Sequence, residues 1–393
     1  MNSKLLITIA LSIFLLGCGG SGGGDVAGAT RPPVTAAPPA GQIGDGRLNE
    51  ILEWARAIDD VPAMSMVLVQ GGQIAELGVV GKRSATANAL ATENDRWHLG
   101  SLTKAITATL AGVLVEQSVI DWQTRPLDVW PELDQSIHSG FRDITLKHLL
   151  SHTSGMTRPD TFPQSIDDDA PGSEADKRRA WAAELLSQPP VGTIDQFRYS
   201  NAGYVVAGAM LETITGTPWE TLVSQQLFAP LGMIESGFGA PGDAAMMDQP
   251  WGHWDRDNHF EPVAPGPGAD NPRAVGPAGT VHATLYDYAQ FMIAHIAGAR
   301  GIPGIVTVPT FNVLHTPIDE GSALGWGYDP DEDWAEGPVL AHAGSNVRWL
   351  AVVRLAPQLD AGVLIAINAG GDRADTTIDF LGDVILERFQ ASR

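Results

Sequence analysis

A serine and a lysine stand three residues apart at the start of an apolar run. The segment Ser101–Lys104 opens a stretch that continues to Gln117 with apolar residues at helical spacing. Residues at positions i and i+3 share a helix face, so the Ser101 hydroxyl and the Lys104 amine are predicted to be neighbours. Free N–H groups at the first turn favour negative charge developing at Ser101. A desolvated lysine can lose its proton and serve as a base for this serine.

This chemistry needs a strongly tuned lysine. Bringing a lysine pKa from about 10.4 to neutrality takes roughly 3 units, or about 4 kcal/mol. Of the few lysines in the chain, Lys104 alone lies inside a long apolar helical run, where an unused amine is costly. The four-residue pattern is also compatible with an ordinary helix start, because serine caps helices and lysine favours them.

Two further segments carry residues that suit the same chemistry. Tyr199 and Asn201 precede a helical run and, two apart in an extended loop, can face one cleft. A tyrosine near Lys104 can carry a proton, and Asn201 offers a donor and an acceptor to a substrate amide. The alternative is a core-packed Tyr199 and a helix-capping Asn201.

The third segment is His342–Gly344, which ends a predicted strand that begins at Val339. Gly344 lets the backbone come close to a ligand. The N–H of the next residue, Ser345, can pair with the N–H of Ser101 as an oxyanion hole.

Predicted strands occupy both ends of the chain. The hairpin signal Gly71-Gly72 joins the first two strands, and short turns join the last three, which favours antiparallel pairing. The predicted elements are helices at 48–57 and 376–389 and strands at 64–70, 74–80, 339–343, 349–355 and 362–368. The expected fold class is α/β (α+β): an antiparallel sheet flanked by helices, with an inserted, mostly helical lobe at about 121–321.

The N-terminus has the features of an export signal. Lys4 precedes an apolar stretch too short to span a bilayer, and Cys18 is the only cysteine. Residues 15–18 resemble a bacterial lipoprotein signal, which implies removal of residues 1–17 and a lipid anchor at Cys18. Residues 18–45 are rich in Gly, Pro and Ala and are predicted to be a flexible tether. The expected location is the periplasm, on the outer membrane of a Gram-negative cell.

The net charge is −22 and becomes −23 once a leader containing Lys4 is removed. This charge argues against nucleic-acid binding, which needs clustered Lys and Arg. One cysteine excludes a disulfide within the chain and a cysteine-based metal site.

The three segments together resemble the class C β-lactamase-like serine hydrolases in order and rough spacing. Segments 144–156, 230–233 and 323–327 also look like this family, the last as its glycine-rich strand, and the resemblance covers about residues 46–390. It implies one hydrolase domain at 46–393, small ester, amide or peptide substrates and no cofactor. The family includes β-lactamases, D-alanyl-D-alanine carboxypeptidases, D-aminopeptidases and esterases.

The resemblance also assigns roles to residues. Ser101 resembles the acylated nucleophile, Lys104 and Tyr199 the proton-handling pair, and Asn201 the residue that orients the substrate. His342 stands where many β-lactamases have lysine, which favours an esterase or a D-amino-acid peptidase over a true β-lactamase. Arg348 can bind a carboxylate or face solvent, and solvent is favoured.

Two other classes of function compete with this reading. His148 and His152 have metal-ligand spacing on a predicted helix, but the general-base Glu of a zinc protease is missing. A non-catalytic, cell-wall-binding lipoprotein is the other alternative, although Ser101, Lys104 and Tyr199 are all present. The substrate and the oligomeric state stay open.

Overall fold

A six-stranded antiparallel sheet forms the centre of the protein. The computed structural model describes residues 36–157, 162–266, 268–318 and 321–392. The strands are β1 (Ala63–Gln70), β2 (Gln73–Gly81), β3 (Arg96–His98), β4 (Gly237–Phe238), β5 (Gly252–Arg256), β6 (His259–Val263), β7 (Val281–Thr284), β8 (Gly327–Glu332), β9 (Gly337–Ser345), β10 (Leu350–Ala356) and β11 (Ala361–Ile367). The central sheet has the order β2-β1-β11-β10-β9-β8, so both ends of the chain complete it, as predicted.

The helices flank this sheet. They are α1 (Leu48–Asp59), α2 (Thr103–Glu116), α3 (Pro126–Val129), α4 (Leu146–Leu150), α5 (Glu174–Ser187), α6 (Asn201–Thr215), α7 (Trp219–Val223), α8 (Ala229–Leu231), α9 (Gly276–Gly279), α10 (Leu285–Ala299), α11 (Val308–His315) and α12 (Asp372–Ala391). The predicted terminal helices at 48–57 and 376–389 are confirmed as α1 and α12.

The sheet is buried on both faces, and the alternation of its side chains shows why. Along β1, Met66 and Leu68 pack against α1 and α12, whereas Val67 and Val69 point into the larger core beneath α2 and α10. The turn between β1 and β2 contains Gly71 and Gly72, both with positive φ, which suits a tight hairpin. The sequence signal for this hairpin is therefore confirmed.

The stretch between β2 and β8 is not purely helical. It also contains two small sheets, of order β3-β7-β4 and β5-β6. In the first sheet, strands of two to four residues pair across long stretches of chain, so no local periodicity marks them. The second sheet is a local hairpin, in which β5 and β6 are joined by Asp257 and Asn258. The prediction of a mostly helical lobe missed both sheets.

The end of the predicted tether is docked rather than free. Ala40 and Ile43 pack against the cluster formed by α1, α12 and the sheet. Arg388 on α12 donates to the Ala40 carbonyl at 2.5 Å and to Asp45 at 2.5 Å, and its guanidinium also pairs with Glu76 of β2. The predicted flexible tether at 18–45 is therefore wrong for its last six residues. Apolar packing of two partly buried side chains and a buried cation hold them.

The predicted signal segment and Cys18 lie outside the described residues. Within the described ranges, no helix is both long and apolar enough to cross a bilayer.

Candidate active site

The predicted serine–lysine pair forms at the start of α2. Ser101 lies in a 3₁₀ turn at Gly100–Leu102, and the α-helix begins at Thr103, two residues later than the sequence pattern suggested. The Nζ of Lys104 lies 3.0 Å from the Oγ of Ser101. Lys104 is completely buried, whereas Ser101 is partly exposed. A buried amine is thus in hydrogen-bond contact with an accessible hydroxyl.

A backbone carbonyl supplies the second contact of the lysine. Lys104 Nζ donates to the carbonyl of Ala278 in α9 at 2.6 Å. Thr107, one turn along α2, donates to the neighbouring carbonyl of Pro277 at 2.7 Å. The two contacts anchor α9 against α2. Local spacing does not predict this anchor, although Lys104 and Thr107 form a polar pair at i and i+3 in an otherwise apolar helix.

Two tyrosines surround the lysine, and their environments differ. Lys104 Nζ lies 4.9 Å from the ring centre of Tyr199 and 5.6 Å from that of Tyr204. Tyr204 is fully buried, its hydroxyl donates to the Leu150 carbonyl at 2.5 Å, and burial raises its pKa well above 10. Tyr204 is thereby held as a neutral phenol. The partly exposed Tyr199 is the tyrosine suited to carry a proton.

Asn201 lies at the first position of α6, two residues after Tyr199. Ser200, not Asn201, caps this helix, because the Ser200 Oγ accepts from the Gly203 N–H at 3.1 Å. The capping alternative for Asn201 is therefore wrong, and its predicted role in orienting a substrate stays a prediction.

The segments that carry Ser101 and Ser345 pack backbone against backbone. A Cβ added to Gly344 would lie 2.7 Å from the backbone N of Ser101 and 2.1 Å from the Leu99 carbonyl oxygen. A Cβ added to Gly100 would lie 2.5 Å from the backbone N of Ser345. Only glycine allows this approach, which puts the two expected oxyanion donors, the N–H groups of Ser101 and Ser345, on neighbouring backbone segments.

His342 is buried beside the lysine as a neutral ring. Its Nδ1 donates to the Ala343 carbonyl at 2.7 Å, and the ring centre lies 6.4 Å from that of Tyr199. Burial lowers the pKa of His342 to about 3. The imidazole therefore brings no positive charge to the site at neutral pH.

A carboxylate that was not predicted from the sequence links the segments that carry Ser101 and Ser345. One oxygen of Asp270 lies 2.7 Å from the Nε2 of His98, and the other accepts from the Asn346 amide at 2.9 Å. The Nδ1 of His98 accepts from the Gly100 N–H at 3.1 Å. Asp270 thus connects the residue before Ser101 to the residue after Ser345. The three side chains come from distant parts of the chain, so sequence spacing gave no signal.

Arg348 does not face solvent as expected. Its guanidinium is half-buried over the ring of Trp254, with 4.4 Å between the guanidinium carbon and the ring centre. It makes long contacts to the carbonyls of Ala269 and Asn346 at 3.5 and 3.4 Å. The preference for solvent is wrong because the aromatic face of Trp254 covers the arginine.

The two histidines of segment 144–156 do not share a helix face. His148 lies in α4 and contacts Thr145 and Asp195, whereas His152 follows the helix end with a φ of +62°. The described residues contain no cluster of three His, Cys, Asp or Glu side chains arranged to hold a metal ion. Segment 323–327 also differs from expectation: residues 323–326 form a turn before β8, and Gly325 packs on the Lys104 carbonyl.

Comparison with known proteins agrees with this architecture. The chain is 27% identical over 335 residues to penicillin-binding protein 4 of Amycolatopsis lactamdurans, covering 82% of this chain and 84% of that protein. The octameric penicillin-binding protein homologue from Pyrococcus abyssi superposes with a TM-score of 0.71 at 20% identity, covering 87% of this chain and 77% of the other.

The D-alanine carboxypeptidase AmpC from Burkholderia cenocepacia superposes with a TM-score of 0.66 at 19% identity, covering 85% and 95% of the two chains. At these identities, the two structural matches establish the fold alone. The model of the family described as Beta-lactamase matches residues 51–384. The protein therefore belongs to the beta-lactamase family of serine hydrolases.

Proposed function

We propose that this protein cleaves an ester or amide bond through a covalent acyl-serine intermediate on Ser101. One observation carries the proposal: the fully buried Lys104 amine lies 3.0 Å from the Ser101 hydroxyl and beside the Tyr199 ring. Burial disfavours the charged form of an amine, and a neutral amine can accept the hydroxyl proton.

The reaction has two halves. In the first, Ser101 Oγ attacks the substrate carbonyl while Lys104 and Tyr199 take its proton and pass it to the leaving group. The negative charge that develops on the carbonyl oxygen is stabilised by the N–H groups of Ser101 and Ser345. In the second, water attacks the Ser101 ester, the same pair accepts a proton from the water and returns it to Ser101 Oγ as the ester bond breaks, and the acid is released.

The charge of the site supports the proposed substrate class. A neutral His342 replaces a cation at a position where many related β-lactamases carry lysine, which weakens the grip on a substrate carboxylate. The proposal therefore favours an esterase or a D-amino-acid peptidase. The name of the relative from Amycolatopsis lactamdurans keeps penicillin-type substrates as the alternative.

The proposed setting is the periplasm, with the domain held to the membrane by a lipid on Cys18. The sequence of residues 4–18 is the basis for this part of the proposal. Two or more acyl chains hold a protein stably at a membrane, and lipoprotein processing at Cys18 is expected to supply them. Labelling of cells with a palmitate analogue tests it: wild type should incorporate the label and Cys18→Ala should not.

A fluorophosphonate probe and a substrate panel test the function. Wild type should be labelled and Ser101→Ala should not, whereas an unlabelled wild type would support a non-catalytic wall binder. The panel contains short p-nitrophenyl esters, a D-alanyl-D-alanine peptide and a chromogenic cephalosporin. Preferential turnover of the cephalosporin would overturn the proposed substrate class.

A further inference from the structure

His152 contacts three consecutive residues of the loop before α6, which are Arg198, Tyr199 and Ser200. Its carbonyl accepts from the Arg198 N–H at 2.7 Å, and its Nδ1 accepts from the Ser200 N–H at 3.0 Å. Between these two contacts, its ring stacks on Tyr199 with the ring centres 4.4 Å apart and the planes at 29°. One residue thus holds the residue before Tyr199, the residue after it and the phenol ring itself.

The conformation of His152 is unusual and tightly held. Its φ of +62° lies in the left-handed region, which non-glycine residues seldom adopt. The side chain is buried against Tyr204 at 5.1 Å and meets the Phe197 ring edge-on at 5.8 Å. Strained conformations of this kind persist where the surrounding packing fixes them and are common at functional sites. In this conformation, the ring and the carbonyl of His152 both contact the loop that contains Tyr199.

We propose that His152 is a positioning residue that fixes the Tyr199 ring beside Lys104 for proton transfer. The stack restrains the ring, and the two hydrogen bonds set the path of the backbone that carries it. The Nδ1 contact needs a ring that is unprotonated at that nitrogen. His152 touches neither substrate nor nucleophile in this role. The inference rests on the proposed function, because it assigns Tyr199 a part in proton transfer.

Three substitutions separate the contacts. His152→Phe keeps a ring for the stack and removes the acceptor, whereas His152→Asn keeps an acceptor and tolerates the left-handed conformation without the ring. His152→Ala removes both. His138 supplies the matched control, because its Nδ1 also accepts a backbone N–H, from Gly140 at 3.0 Å, and its ring also meets a phenylalanine edge-on.

The experiment measures kcat and KM of the purified full-length protein on a short p-nitrophenyl ester. His152→Ala is expected to lower kcat by about 10- to 100-fold with little change in KM, because small misplacements of a reacting group cost that much. His152→Phe and His152→Asn should each recover part of the loss. His138→Ala should keep the wild-type kcat.

A double-mutant cycle with Tyr199→Phe shows whether the effect passes through the tyrosine. In that background, His152→Ala is expected to change kcat by less than about twofold, because the group it positions is gone. An equal loss in both backgrounds, a rise in KM alone, or a wild-type kcat in all His152 variants would overturn the positioning role. Turnover that survives Ser101→Ala would overturn the proposed function and this role together. The outcomes named above, with Ser101→Ala inactive, would overturn the positioning role alone.

Discussion

The Nζ of Lys104 lies 3.0 Å from the Oγ of Ser101, inside a helix that leaves the lysine no exposed surface. The Ala278 carbonyl engages the same amine at 2.6 Å, so the amine is held between a fixed acceptor and the serine. This placement limits rotation of a flexible side chain and aims it at one hydroxyl. In the proposed mechanism, this arrangement preorganises the site for proton transfer before a substrate binds.

Replacing the lysine should abolish most turnover. We expect Lys104→Ala to reduce kcat/KM on a p-nitrophenyl ester by about 10³-fold or more, because the base for Ser101 is removed. Lys177→Ala is the matched control: Lys177 is also buried and its amine also donates to backbone carbonyls, at Asp167 and Asp168. Steady-state kinetics and thermal melts of both variants check this. Near-normal turnover by Lys104→Ala would exclude the lysine as the base.

The carboxylate of Asp270 should affect the rate of catalysis, because it links the segments that carry Ser101 and Ser345. Without it, His98 and Asn346 lose their common partner, and the N–H groups of Ser101 and Ser345 are no longer held in register. We expect Asp270→Ala to lower kcat by about 10- to 100-fold, less than deletion of an oxyanion donor would. Asp287→Ala, which removes a carboxylate buried in α10, is the control for stability loss alone. Equal kcat in the two variants would refute the link.

Acid should unfold the protein through its buried histidines. Burial lowers the pKa of His253 and His282 to about 4 and that of His315 and His342 to about 3. Because these values lie below the unfolded value of about 6.5, the unfolded state binds more protons. Their contribution to stability is complete above about pH 6.5 and is lost as the pH falls toward 3.

Five carboxyl groups among the described residues act in the opposite direction, because burial raises the pKa of Asp375 to about 6 and also raises the pKa of Glu212, Asp287, Glu332 and Asp379; their contribution is lost as the pH rises through the raised values. His295 adds a fifth buried histidine whose pKa lies well below 6.5, and carboxyl groups with a lowered pKa, such as Asp45, act in the same direction as the histidines; the melting temperature should therefore fall from pH 6.5 to pH 4. His282→Asn should flatten this dependence. A melting temperature that rises over the same interval would contradict the assignment of neutral buried histidines.

The N-terminal segment should stabilise the domain without affecting catalysis. Arg388→Met would leave the carboxylates of Asp45 and Glu76 next to each other without their cation. We expect a loss of about 3–5 kcal/mol in the free energy of unfolding, as for a broken buried ion pair, with kcat unchanged. Urea unfolding measures the first quantity and ester turnover the second. Unchanged stability would show that residues 40–45 are not docked in solution.

Local patterns predicted the elements that depend on local physics. The hairpin at Gly71-Gly72, the terminal helices and the Ser101–Lys104 pair all follow from turn residues or from helical spacing, and the structure has each of them. The Tyr199 ring centre lies 4.9 Å from the Lys104 amine, near it as expected. Sequence spacing does not show which contacts hold the ring there.

The features that sequence missed depend on long-range contacts. Asp270 meets His98 across 172 positions of sequence, and Ala278 meets Lys104 across 174. The four-residue spacing of His148 and His152 suits a metal site only if both residues lie on one continuous helix. The helix ends at Leu150, and the left-handed turn at His152 directs the ring to Tyr199 instead. Packing, not propensity, decides such contacts.

The central claim is a covalent bond to one serine. Rapid acid quench of the protein with excess p-nitrophenyl ester, followed by intact-mass and peptide mass spectrometry, tests it most directly. The account predicts a mass increase of one acyl group on the peptide that contains Ser101, and none on Ser101→Ala. Ester turnover with no acyl adduct, or an adduct on another residue, would contradict it.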